Sequence, residues 1–147
     1  MLGFIDWDRQ NQWKSGGPCY LKIKVDNKVH LALLDTGCST TLIPGRFARR
    51  HELRKSERKC TAANGTNIPI NGEVDLPVII GSTKTVITGL VTDFVSEVMI
   101  SLEWLKENRA CWDFSTGTVK INGTEHQLVG KKFPTSMCRR VILSEDV

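Results

Sequence analysis

Apolar and polar residues alternate along the first third of the chain. Leu21, Ile23 and Val25 point one way with Lys22, Lys24 and Asp26 between them, and Val29, Leu31 and Leu33 repeat the pattern after Asp26-Asn27-Lys28. A period of two predicts strands with one buried face, and Asp and Asn tolerate the left-handed backbone of a tight turn, so this segment reads as a β-hairpin. A second pair follows: Val74, Leu76, Val78 and Ile80 alternate, Gly81-Ser82-Thr83-Lys84 turns the chain, and residues 86–95 run back. A third runs from Cys111 to Phe114, turns at Ser115-Thr116-Gly117 and returns through Val119 and Ile121. Turn signals at this spacing predict an all-β sandwich or barrel. Helical signals are few: Pro44 opens one short helix reaching Arg50, and Ser101 caps another running to Lys106 with Leu102 and Leu105 turned inward.

Composition narrows the function classes. With 147 residues and 40% hydrophobic positions, the chain has enough apolar surface for one packed domain and is not a disordered segment. Its longest apolar runs fall far short of the roughly 20 residues that cross a bilayer, and Asp6, Asp8 and Arg9 sit where a signal peptide needs an apolar stretch. An intracellular, cytoplasmic location without membrane attachment is therefore expected. The charge, 20 − 16 = +4, is a mild excess that calls for no polyanion. Arg46, Arg49, Arg50, Arg54, Lys55, Arg58 and Lys59 form a basic stretch, but Glu52 and Glu57 interrupt it and no aromatics interleave; it reads as a solvated face, and no nucleic-acid partner is expected. The five cysteines are odd in number, scattered and without a C-x-x-C pair, and the three histidines are dispersed, which points to free thiols and no metal site. Asn64-Gly65-Thr66 and Asn122-Gly123-Thr124 match the glycosylation acceptor pattern but read as turns.

One segment carries chemistry: Leu31-Ala32-Leu33-Leu34-Asp35-Thr36-Gly37-Cys38-Ser39-Thr40-Thr41-Leu42-Ile43-Pro44. A carboxylate directly after an apolar strand and before Thr-Gly is an unusual place for a solvated charge. Asp-Thr-Gly alone is an ordinary turn tripeptide. Its flanks, an apolar run before and Thr-Leu-Ile after, describe a loop held between two buried strands.

This segment resembles the active-site loop of the retropepsin-like aspartic proteases, and most closely the protease segment of Gypsy-type retrotransposon polyproteins. Two further elements support the resemblance in order: a flap-like stretch, Cys60-Thr61-Ala62-Ala63-Asn64-Gly65-Thr66, and the run from Glu97 to Leu105 ahead of the C-terminal helix. Ala110 to Ile121 is similar to the family's closing hairpin. Two positions depart from it: Ser101 stands where the family has glycine, and Glu103 where it has aspartate. The resemblance implies an all-β, closed β-barrel of acid-protease type with one or two short helices and a flap hairpin, assembled as a homodimer. It implies a protease domain over residues 17–124, an N-terminal extension over 1–16, and a C-terminal strand or linker over 125–147 leading toward a downstream polyprotein domain.

The implied activity is that of an aspartic endopeptidase, with Asp35 as catalytic residue. Peptide hydrolysis by this route takes two carboxylates that share a proton. None of the other seven aspartates precedes Thr-Gly or Ser-Gly, so two copies of Asp35 must meet on a twofold axis. The resemblance assigns Thr36, Gly37, Cys38 and Ser39 to the active-site loop, and Ala63, Asn64, Gly65 and Thr66 to a flap that closes over an extended peptide or polyprotein. No cofactor is implied. Cys38 is read either as a small filler or as an oxidation-sensitive thiol beside the dyad. Ser101 keeps open the alternative of a catalytically silent dimerisation or peptide-binding module.

Overall fold

In the computed structural model, which describes residues 18–62 and 64–130, strand β1 (Tyr20–Val25) pairs with β2 (Lys28–Asp35) in an antiparallel hairpin. Asp26 and Asn27 both take positive φ, 49° and 69°, the two-residue turn whose twist matches that of its strands. The buried face of β2 is not the one expected. Ala32 and Leu34 are buried, Leu31 and Leu33 only partly so, and Val29 is 60% exposed. Val25 pairs with Lys28, so the turn holds two residues where the alternation suggested three. That single residue of slip moves every side chain of the returning strand to the opposite face.

The second pair forms with the expected outgoing face. Its turn is shorter than the expected Gly81-Ser82-Thr83-Lys84, since Thr83 and Lys84 already pair with Ile80 and Ile79, and its return strand ends at Val91, not at residue 95. β6 (Gly72–Ile80) buries Val74, Leu76, Val78 and Ile80, and β7 (Thr83–Val91) returns alongside it after a two-residue turn. Two short strands complete the ring: β3 (Leu42–Ile43) and β8 (Met99–Ser101). Hydrogen bonding runs β1-β2-β8-β3-β7-β6 and back to β1, closing a barrel and leaving no free edge among these six strands. Its interior is aliphatic; Leu21, Ile23, Leu76, Ile87 and Ile100 are each at most 1% exposed, and full burial of such a side chain contributes about 1.5–3 kcal/mol.

Helical structure is short. Residues after Pro44 make a 3-10 turn, Gly45–Ala48, in place of a helix to Arg50. Helix α1 (Leu102–Glu107) is capped by Ser101, whose side chain accepts the Trp104 N–H. It buries Trp104 and Leu105, whereas Leu102, expected inside, is 37% exposed because it faces away at the first turn. A hairpin of β4 (Cys60–Thr61) and β5 (Asn67–Ile68) projects from the chain between β3 and β6. A three-stranded sheet follows α1: β9 (Cys111–Asp113), β10 (Thr118–Ile121) and β11 (Thr124–Gln127).

The boundary expected after residue 124 falls inside this sheet. β11 pairs with β10 from Thr124 to Gln127, Leu128 is buried in the main core, and Val129 exchanges backbone hydrogen bonds with Tyr20. The folded unit thus reaches Gly130; the rest of the two expected extensions, residues 1–16 and 131–147, lies outside the described residues. No helix among the described residues is long and apolar enough to cross a membrane.

Candidate active site

Strands β2 and β3 flank β8 on its two sides, β2 parallel to it and β3 antiparallel. The connection between them, residues 36–41, therefore crosses the end of β8 where Ser101 hands the chain to α1. Asp35 closes β2 directly opposite Ser101 in the strand register. The carboxylate is half-buried, and Thr36 and Gly37 beyond it are exposed. The Gly37 N–H donates to Asp35 Oδ1 at 3.1 Å, and the Cys38 N–H donates to the Asp35 main-chain carbonyl at 3.1 Å. The loop's own backbone thus orients the side chain it presents.

Past Gly37 the loop turns inward. Cys38 is half-buried and its thiol donates to the Thr40 carbonyl at 2.8 Å. Burial pushes the Cys38 thiol above its ordinary value, so it is protonated and a poor nucleophile at neutral pH. This favours the filler reading of that position. Ser39 is exposed. Thr40 is buried and its hydroxyl accepts from Arg58 Nη2 at 3.1 Å; the same guanidinium nitrogen lies 3.6 Å from Glu103 Oε1.

Thr41 and Ser101 meet in the interior. Thr41 is 3% and Ser101 1% exposed. The Ser101 N–H donates to Thr41 Oγ1 at 3.0 Å, the Thr41 hydroxyl donates to Ser101 Oγ at 3.0 Å, and the Trp104 N–H donates to Ser101 Oγ at 3.2 Å. A hydroxyl where the family resemblance would put glycine thus accepts two hydrogen bonds, and losing one such buried partner costs about 1–3 kcal/mol.

The proposed flap residues lie on the β4–β5 hairpin. Asn64, Gly65 and Thr66 form its exposed tip, Gly65 at φ +89°, with the Thr66 N–H donating to Asn64 Oδ1 at 2.9 Å and the Gly65 N–H to the Ala62 carbonyl at 2.9 Å. Ala63 lies outside the described residues. The hairpin's base packs beside the loop's outgoing strand: Cys60, Ala62 and Ile68 join Leu42, Leu90, Val95 and Met99 in a second apolar cluster. Asp35, Thr36, Gly37, Cys38 and Ser39 therefore share one loop, and the hairpin is anchored next to it.

From the sequence, Thr40 reads as a substrate contact and Arg58 as part of a solvated basic face, and Thr41 is not singled out, although all three bind the loop to its surroundings. Two adjacent threonines directly before Leu42-Ile43 were the available signal, since buried hydroxyls demand partners. No group of three or more His, Cys, Asp or Glu side chains among the described residues could hold a metal ion.

No family model matches the chain. It is 27% identical over 116 residues to DNA damage-inducible protein 1 of Candida glabrata, a match covering 76% of this chain and only 27% of that protein's length. Among solved structures it is similar to the retroviral protease-like domain of Ddi1 from Leishmania major, with a TM-score of 0.60, 17% identity, and coverage of 76% of this chain and 90% of that one. A retropepsin-like aspartic protease from Rickettsia conorii aligns at a TM-score of 0.47 and 21% identity, over 64% of this chain and 75% of that one. The Leishmania likeness, at its low identity, establishes the fold: this chain has the architecture of a retroviral protease-like domain.

Proposed function

We propose that the chain is half of an aspartic endopeptidase, completed when two copies bring their Asp35 loops together. The observation that carries this reading is the placement of Asp35: a half-buried carboxylate at the end of a barrel strand, oriented by the Gly37 N–H, beside exposed Thr36 and Gly37. Two such carboxylates side by side hold one proton between them, because like charges oppose ionisation of both. The ionised one draws a proton from a water molecule as that water attacks the scissile carbonyl, and the protonated one donates to the carbonyl oxygen. Thr36 and Gly37 are exposed where a second loop would dock, and the hairpin tip at Asn64, Gly65 and Thr66 would cover an extended peptide and exclude water. The barrel fold shared with a retroviral protease-like domain supports the reading. A retrotransposon polyprotein is the substrate that the sequence resemblance favours, with the folded unit through Val129 as the protease segment and the stretches beyond it as its connections. No metal or organic cofactor enters the scheme.

The test is direct. Purified protein should cleave a mixed peptide library at mildly acidic pH and be blocked by a statine-type inhibitor. The Asp35→Asn variant should lose turnover by about 10³-fold or more while keeping its fold and its dimer. A wild type that dimerises and folds yet cuts no peptide would replace this reading with that of a silent peptide-binding module.

A further inference from the structure

We infer that Ser101 is the clasp of the Asp35 loop, a positioning residue whose hydroxyl ties the loop's far end to β8, the strand paired with the one that carries its near end. Two consecutive residues, Ser101 and Leu102, reach the loop at three places. Ser101 pairs with Asp35 across β2 and β8. The Leu102 N–H donates to the Cys38 carbonyl at 3.0 Å, in the middle of the loop. Thr41, at the far end, both accepts from the Ser101 N–H and donates to the Ser101 hydroxyl.

The same hydroxyl accepts the Trp104 N–H, so the clasp is anchored to the first turn of α1, whose Trp104 and Leu105 are buried in the core. Both hydroxyls are shut off from water, which leaves them no substitute partner. Removing the Ser101 oxygen leaves the Thr41 hydroxyl without its acceptor and the Trp104 N–H without its cap, while removing the Thr41 oxygen leaves the Ser101 N–H without its acceptor; either change loosens the loop's far end. A shift of the loop by a fraction of an ångström is enough to misplace a carboxylate that must meet its twin. The effect on turnover rests on the reading of Asp35 as catalytic; the effect on the loop does not.

Four variants of the full chain test it: Ser101→Ala; Thr41→Val, which keeps the shape and loses the hydroxyl; the double variant that combines these two; and Thr41→Ser, which keeps the hydroxyl. Amide hydrogen exchange is followed at Cys38 and Leu102, alongside kcat and KM for a cleaved peptide. The clasp predicts exchange about tenfold faster at both amides in Ser101→Ala and Thr41→Val. It also predicts kcat lower by about tenfold with KM within about twofold, and a loss in the double variant smaller than the two single losses combined. Thr41→Ser should exchange at the wild-type rate. Exchange at Cys38 and Leu102 within about twofold of wild type overturns the proposal, as does an equal acceleration throughout β6 and β7, which marks a general loss of stability. If the wild type cleaves nothing, the protease reading falls while the exchange rates still decide the clasp.

Discussion

Arg54 sets both terminal nitrogens on Asp75, at 2.8 and 3.1 Å, and the Thr88 hydroxyl donates to the same carboxylate at 2.7 Å. The Arg54 hydrogen bonds, then that of Thr88, hold the Asp75 carboxyl below the usual carboxylate range. A depressed carboxylate binds its proton more weakly folded than unfolded. Its stabilisation is therefore present above the unfolded value, about 3.9, and is lost as pH falls through the folded one. Both side chains are about half exposed, so solvent screening keeps the contribution small. In Arg54→Ala the titration midpoint of Asp75, followed by carboxyl NMR, should rise and the acid limb of the stability curve should flatten. An unmoved midpoint would mean that Thr88 alone orders the charge. The pair matters for the site because the Arg54 backbone also bonds to Glu73 on β6, which pins the segment that carries Arg58 toward Thr40.

Among the strands, one tight constraint is at Gly89 on β7. A Cβ there would lie 2.8 Å from the Thr41 carbonyl oxygen, 2.9 Å from Thr41 Cγ2 and 3.0 Å from Ile43 Cδ1. β7 must come this close because the Leu90 N–H donates to that same carbonyl at 2.9 Å. Gly89→Ala should push β3 outward and destabilise the fold by about 1–3 kcal/mol, measured by denaturant unfolding, and should loosen Thr41 from Ser101. Unchanged stability would show that β3 yields at no cost. Elements whose evidence lies in neighbouring residues were legible in the sequence: the alternation of β6, the turn at Asp26-Asn27, the Ser101 cap and the framing of Asp-Thr-Gly. The face of β2 was not, because a two-residue and a three-residue turn differ by one position that alternation cannot count. Leu102 was misplaced because a helix of under two turns has too few positions to show which side is buried. Thr41 and Ser101, sixty positions apart in sequence, are ordinary residue types whose pairing exists only once β3 and β8 are neighbours.

One barrel of this size has a closed ring of strands and a buried core of its own, yet it carries a single Asp-Thr-Gly. If the site needs two of them, activity belongs to a pair of chains and depends on which chains meet. That dependence separates a shared site from a self-sufficient one. Wild-type protein and Asp35→Asn are mixed, unfolded and refolded together so that subunits associate at random. A wild-type chain then finds a wild-type partner about half the time in an equal mixture and about one time in ten with a ninefold excess of the variant. Cleavage per wild-type chain should fall to about those fractions, because a mixed dimer has one carboxylate and an amide that cannot share its proton. Activity that stays level across the series would show that each chain completes its own site. Activity per wild-type chain that rises toward twice its starting value as the variant comes into excess would show that one carboxylate suffices in a shared site. Sedimentation of the same mixtures checks that the total amount of dimer is unchanged, so that the loss is read as chemistry and not as dissociation.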